Sequence, residues 1–252
     1  MNEQLIKEKK IIDCLYSHFK NTSKKLKIIC DWDEVIQPHE PYALWLTLLN
    51  EKQKIDGGFE FSEYFKIFWN KKEEPWINYS LYGSRLVIEN LEKLNKQQEI
   101  KNSPDFYQQT PFLTIAKELL KLIKEAKLEK LIFLSAYDKR KFPNEDSRKH
   151  QIFKETFGKF PFCSLQLIGF GSESQGANKA DWIKKNTANF TVAIDDNPNI
   201  CKNIAATVPS IIACAPHYLA VENQHHKEVL LIKTNVGDLD KGNFETDNYL
   251  KK

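Results

Sequence analysis

Ile28-Ile29-Cys30-Asp31-Trp32-Asp33-Glu34-Val35 is a short apolar run that ends in two carboxylates one residue apart. Such a run, brief and without helical period, reads as a buried strand of a parallel sheet. Ligands gather at the carboxyl ends of strands in open parallel sheets. The pattern returns as Leu131-Ile132-Phe133-Leu134 running into Ser135, and as Val192-Ala193-Ile194 running into Asp195-Asp196. Three buried strands, each ending in a polar group, are expected to converge on one site.

Working outward, strand and helix patterns alternate. A helix is expected over Thr110 to Ala126, with Leu113, Ala116, Leu119, Leu120 and Ile123 on one face and Pro111 at its first position. A strand at Lys130 to Leu134, a helix at Asp146 to Phe157 and a strand at Ser164 to Ile168 follow. A loop with three Gly, Gly169 to Ala177, leads to Asn178-Lys179 and a helix at Ala180 to Lys185. Then come a strand at Phe190 to Ile194, a helix at Pro198 to Ala206, and late strands at Ser210 to Ala213 and Val229 to Ile232. Repeated strand-helix units predict an α/β fold with a doubly wound parallel sheet.

Residues 36–109 break the alternation. They are rich in aromatics, punctuated by Pro and Gly, and look mainly helical over Pro41 to Asn50, Phe61 to Asn70 and Gly83 to Asn95. The expected organisation is a core of residues 1–35 and 110–235, a helical cap of residues 36–109, and a polar tail of residues 236–252. Residues 3–20 carry apolar positions at amphipathic-helix spacing.

The composition excludes several classes. With 252 residues, 28% charged and 41% hydrophobic, the chain can bury a large core and does not read as disordered. No apolar stretch is long enough to span a bilayer. Met1 to Lys10 is polar and Lys-rich, unlike a secretory signal. The five Cys are scattered without CxxC spacing, which points to reduced thiols and a cytoplasmic location. A net charge of +3 gives no general case for nucleic-acid binding.

The polar groups at the strand ends define a chemistry. Asp31, Asp33, Asp195 and Asp196, with Asn199 nearby, supply hard oxygen donors without His or Cys, which suits Mg²⁺. Clustered carboxylates repel one another and require a cation or a proton. Lys179 could neutralise an anion, and Ser135 offers a hydroxyl at the mouth of a loop. These are parts for phosphoryl transfer. One carboxylate attacks phosphorus; another protonates the leaving oxygen and then deprotonates water.

In this arrangement the sequence resembles the haloacid dehalogenase superfamily of Mg²⁺-dependent phosphohydrolases. The motifs stand in order as IICDWDEV, LIFLSAY, NKADWI and VAIDDNPN. The resemblance implies Asp31 as nucleophile and Asp33 as general acid/base, with Ser135 and Lys179 holding the phosphate. It implies Mg²⁺ bound by Asp31, the Asp33 carbonyl and Asp195, supported by Asp196 or Asn199. Asp33 argues against dehalogenation, which has no leaving alkoxide to protonate.

Glu34 departs from the Gly that often follows the second Asp in this superfamily. The DxDE form echoes its branch of protein phosphatases acting on polymerase tails, yet that branch usually lacks a large insertion here. A cap after the first motif usually accompanies a small phosphorylated substrate. A nucleic-acid end or a phosphoprotein is the less favoured substrate. A non-catalytic scaffold is the rival from another class.

Other features read as structural. The cap aromatics, Trp45 and Phe61 among them, are expected to pack helix to helix rather than stack on bases. His225-His226 reads as a solvated loop rather than a metal site.

Overall fold

The computed structural model describes residues 25–50, 60–62, 77–79, 86–88, 91–137, 145–169, 175–186, 190–208, 212–216 and 230–232. The helix expected over residues 3–20, most of Phe61 to Asn70, His225-His226 and the 236–252 tail lie outside these residues. In chain order the elements are β1 (Leu26–Cys30), α1 (His39–Asn50), β2 (Ile77–Tyr79), β3 (Leu86–Ile88), α2 (Leu91–Asn102) and α3 (Phe106–Gln109). They continue as α4 (Thr114–Lys124), β4 (Leu128–Tyr137), α5 (Glu145–Thr156), β5 (Cys163–Gly169), α6 (Gln175–Asn186), β6 (Val192–Ile194), α7 (Pro198–Thr207), β7 (Ile212–Pro216) and β8 (Leu230–Ile232).

Among the described residues, six strands form one parallel sheet in the order β5-β4-β1-β6-β7-β8. Strand β1 lies inside the sheet, paired with β4 on one side and β6 on the other. Its burial follows from that place. Ile28 and Cys30 join one apolar cluster with Leu119 and Leu122 of α4 and Ile152 of α5. Ile29 joins the opposite one with Ala180 and Ile183 of α6 and Ile200 and Ile204 of α7. Helices on both faces explain why the strand is apolar at successive positions rather than alternating. Each such aliphatic side chain stabilises the fold by about 1.5–3 kcal/mol.

The chain runs outward from β1 through β4 to β5, then returns to the other side of β1 as β6. The strand order therefore reverses between β1 and β6, and the crevice outside their carboxyl ends is where such sheets bind ligands. Asp31 follows β1 and Asp195 follows β6, both at that crevice.

The segment 36–109 contributes α1, the antiparallel pair β2–β3, α2 and α3. Glu40 of α1 accepts a hydrogen bond from Gln97 Nε2 of α2 at 3.0 Å and pairs with Lys101 of α2. Tyr42, Trp45 and Phe61 pack against one another, with ring centroids 5.0–5.6 Å apart.

Several expected elements differ. Gly83 to Asn95 is not one helix: Leu86–Ile88 is extended and paired with Ile77–Tyr79, and the helix runs from Leu91 to Asn102. Two β-branched residues in Leu86-Val87-Ile88 favour that extension. The helix expected from Thr110 begins at Thr114 instead. Pro111 disfavours the helical region at Thr110, which sits at ψ 124°, and Leu113 N–H donates to Ile36 O at 2.8 Å, holding the chain extended. Strand β4 runs past Ser135 to Tyr137, because β5 continues pairing with it there. Helix α6 begins at Gln175, so Lys179 lies in its second turn rather than at its start.

Candidate active site

The turn after β1 is built by backbone hydrogen bonds. Ile36 N–H donates to Trp32 O at 2.8 Å, and Glu34 N–H donates to Gln37 O at 2.9 Å. Trp32 fills the base of the turn, fully buried, with its ring edge-on to Phe133 (5.1 Å) and Phe157 (6.3 Å). Its indole N–H donates to Gln37 Oε1 at 3.0 Å. Gln37 Nε2 in turn donates to Tyr107 O and Thr110 O, each at 2.9 Å. One buried amide thus ties the turn to the segment that precedes α4.

Glu34 stands at φ 58°, the left-handed region. The turn therefore takes a conformation that suits Gly even though Gly is absent, at a cost on the order of 1–3 kcal/mol. Its carboxylate oxygen Oε1 accepts the Glu40 N–H at 2.8 Å, satisfying a donor in the first turn of α1. Burial, and then Glu40, push the Glu34 carboxyl well above its ordinary range.

Asp31, Asp195 and Asp196 converge: one carboxylate oxygen from each lies within 4.8 Å of the others. Asp31 and Asp195 are buried and Asp196 is half-buried. Lys179, also buried, reaches back from α6 to lie 2.6 Å from Asp31 Oδ2 and 2.7 Å from Asp195 Oδ2. The Trp32 N–H donates to Asp31 Oδ1 at 2.7 Å, so both oxygens of Asp31 are oriented. Asp195 Oδ1 accepts the Asn197 N–H at 3.0 Å.

The electrostatics follow from two buried carboxylates sharing one ammonium. Burial pushes the Asp31 carboxyl up to about 7; Lys179 opposes the rise, while Asp195 and Asp33 add to it. Lys179 loses hydration, but its two carboxylate partners hold it above the usual lysine range. The cluster thus carries more negative charge than Lys179 balances, and its donors are all hard oxygens. Both properties fit a divalent cation such as Mg²⁺.

Asp33 belongs to a second, adjoining cluster. Its Oδ1 is 2.6 Å from His39 Nδ1, and its Oδ2 accepts from Ser135 Oγ at 3.2 Å and from Lys149 Nζ at 2.5 Å. Lys149 also donates to Ser135 Oγ at 2.9 Å and to Ala136 O at 3.5 Å. Burial acts to raise the Asp33 carboxyl, but Lys149 and His39 overcome it and hold the group well below the usual carboxylate range. Burial draws His39 below its ordinary value against the pull of Asp33. Because Asp33 is a carboxylate and can only accept, His39 Nδ1 carries the proton.

Of the residues expected from sequence, Asp31, Asp195, Asp196 and Lys179 thus lie together, and Ser135 lies with Asp33 beside them. Asn199 is in the first turn of α7, with its side chain outside the described set. His39 and Lys149 were not anticipated. His39 shares a turn with Asp33, and that proximity was a usable signal. Lys149 stands in Arg148-Lys149-His150 on a polar helix, where nothing separates it from a solvated lysine.

No family model matches this sequence, and no curated protein matches it. Among solved structures, it is similar to a hydrolase from Streptococcus pneumoniae TIGR4, at 13% identity over 73% of this chain and 89% of that one, with a TM-score of 0.41. It is also similar to a haloacid dehalogenase-like hydrolase from Burkholderia xenovorans LB400, at 13% identity over 83% and 94% of the two chains, with a TM-score of 0.46. Likenesses of this depth bear on neither activity nor substrate. Among the described residues, no helix is long and apolar enough to cross a membrane.

Proposed function

We propose that this chain is a Mg²⁺-dependent phosphohydrolase of the haloacid dehalogenase type that cleaves a small phosphate monoester through Asp31. The observation that carries the reading is the convergence of Asp31, Asp195 and Asp196 around Lys179 at the reversal point of the sheet. Asp31, Asp195 and Asp196 would hold the ion, with the Asp33 carbonyl and Asn199 assigned by resemblance. When bound, the ion supplies positive charge against the phosphoryl oxygens.

The rest is the work of the chain's own residues. Asp31, with its oxygens oriented by Trp32 N–H and Lys179, attacks phosphorus as the ester P–O bond breaks. Lys179 stabilises charge on the phosphoryl oxygens, with Ser135 placed beside them by resemblance and its hydroxyl proton on Asp33 Oδ2. Asp33 protonates the leaving oxygen. It then takes a proton from water, which attacks the aspartyl-phosphate and releases inorganic phosphate. Lys149 and His39 hold Asp33 as a carboxylate in the free chain, the form the second step needs. The first step therefore requires a proton to reach Asp33 with the substrate.

A small substrate is assigned by resemblance, from the insertion of residues 36–109 after the first motif. The test is phosphate release from a broad panel of monoesters, with Mg²⁺ and with chelator, for the natural chain and Asp31→Asn. Mg²⁺-dependent turnover that Asp31→Asn abolishes is the expected result. A folded chain that binds Mg²⁺ but releases no phosphate from small esters would replace this reading with a macromolecular substrate or a scaffold role.

A further inference from the structure

The resemblance in sequence assigns one lysine to this site, yet two are buried there. Lys149 is fully buried, on α5, and its ammonium lies on the Asp33 side of the crevice, with Lys179 on the Asp31 side. Burying an ammonium is costly unless it is paired and hydrogen-bonded. Lys149 meets that condition through Asp33 Oδ2, Ser135 Oγ and Ala136 O. Arg148, its neighbour on α5, donates to the carbonyls of Lys101 (3.1 Å) and Asn102 (2.6 Å) at the end of α2. These bonds fix the helix that delivers Lys149.

A carboxylate offers about four lone-pair sites, two on each oxygen. On Asp33, Lys149 and Ser135 take the two on Oδ2, and His39 takes one on Oδ1. Among the described residues, the remaining site is on Oδ1. We propose that Lys149 is a positioning residue for the acid/base carboxylate: by holding Asp33 Oδ2 and Ser135 Oγ with one buried ammonium, it leaves Oδ1 as the oxygen that exchanges a proton with the reacting groups. The role rests on the phosphohydrolase reading. Lys149 acts through Asp33 and Ser135 and need not touch the substrate.

The experiment compares kcat and KM for the best monoester, with Mg²⁺, in the natural chain, Lys149→Met and Lys149→Arg, with folding checked by circular dichroism. Misplacing a catalytic group by about 1 Å costs on the order of 100-fold, so Lys149→Met should lose about that factor in kcat, with KM changed by less than about threefold. Lys149→Arg restores a cation to the same partners and should recover about tenfold of the loss. A kcat for folded Lys149→Met within about threefold of the natural chain overturns the role. So does a raised KM at unchanged kcat, which would make Lys149 a ground-state phosphate ligand. If Lys149→Met does not fold, Lys149→Gln decides: a kcat at least about tenfold low at unchanged KM supports the role, and a kcat within about threefold of the natural chain overturns it. Absence of turnover in the natural chain overturns the phosphohydrolase reading itself, and the role falls with it. An active natural chain with an equally active variant overturns the role alone.

Discussion

The carboxylate of Glu34, on a residue in the left-handed region at φ 58°, accepts the backbone N–H of Glu40 at 2.8 Å. A strained residue thus caps the helix that carries His39. Replacing Glu34 by Ala or by Gly removes the same hydrogen bond, but only Gly adopts this φ without strain. Glu34→Gly is therefore expected to be more stable than Glu34→Ala by about 1–2 kcal/mol. Urea unfolding of the two variants measures the difference, and equal midpoints would show that the turn relaxes.

Among the described residues, Lys179 is the cation that pairs with both Asp31 Oδ2 and Asp195 Oδ2. Removing one partner from a buried ionic cluster typically costs about 3–5 kcal/mol, because charge is left buried without compensation. Lys179→Met should destabilise the metal-free chain by that order. Mg²⁺ should recover part of the loss, seen as a larger rise in Tm for the variant than for the natural chain. A metal-free variant as stable as the natural chain would argue that the two carboxylates share a proton instead.

Asp31 also makes stability depend on pH. Its carboxyl lies at about 7 when folded, against an ordinary 3.8, so the folded state holds the proton more tightly. The resulting stabilisation is present below the ordinary value and is lost as pH rises through the folded one. Glu34 acts in the same direction, whereas His39, lowered by burial, acts in the opposite one. The difference between the natural chain and Asp31→Asn isolates Asp31. Without metal, Asp31→Asn should melt higher at neutral pH, and the gap should shrink as pH falls from 7 toward 4. Thermal scans in chelator give the gap directly. A gap that does not change with pH would mean that Asp31 titrates as an exposed carboxylate does.

Gln37 holds the turn from within, between Trp32 Nε1 and the carbonyls of Tyr107 and Thr110. Gln37→Leu keeps a side chain of similar volume but strips those buried groups of this partner, at about 1–3 kcal/mol each. A loss of about 3 kcal/mol or more in urea unfolding, at unchanged slope, is expected. A loss under about 1 kcal/mol would mean that water or a neighbour replaces the amide.

The parallel α/β core is legible in the amino-acid sequence, because a strand covered on both faces must be apolar at successive positions. Ile28-Ile29-Cys30, Leu131 to Leu134 and Val192 to Ile194 all show that pattern. That pattern also places Asp31 and Asp195 directly after β1 and β6, at the carboxyl end of the sheet, whereas Ser135 lies within β4, which pairs on to Tyr137. Helix limits were less legible. Pro111 and the Leu113 bond to Ile36 delayed α4, and a long-range contact leaves no periodic trace.

The partners of Asp33 emerge only once the chain is folded. Lys149 comes from a helix whose polarity suggests solvent, and Asp33 and Ser135 are distant from it in sequence. Burial of a charge depends on which elements close over it. A charged residue inside a polar helix looks the same in sequence whether it faces water or the bottom of a cleft.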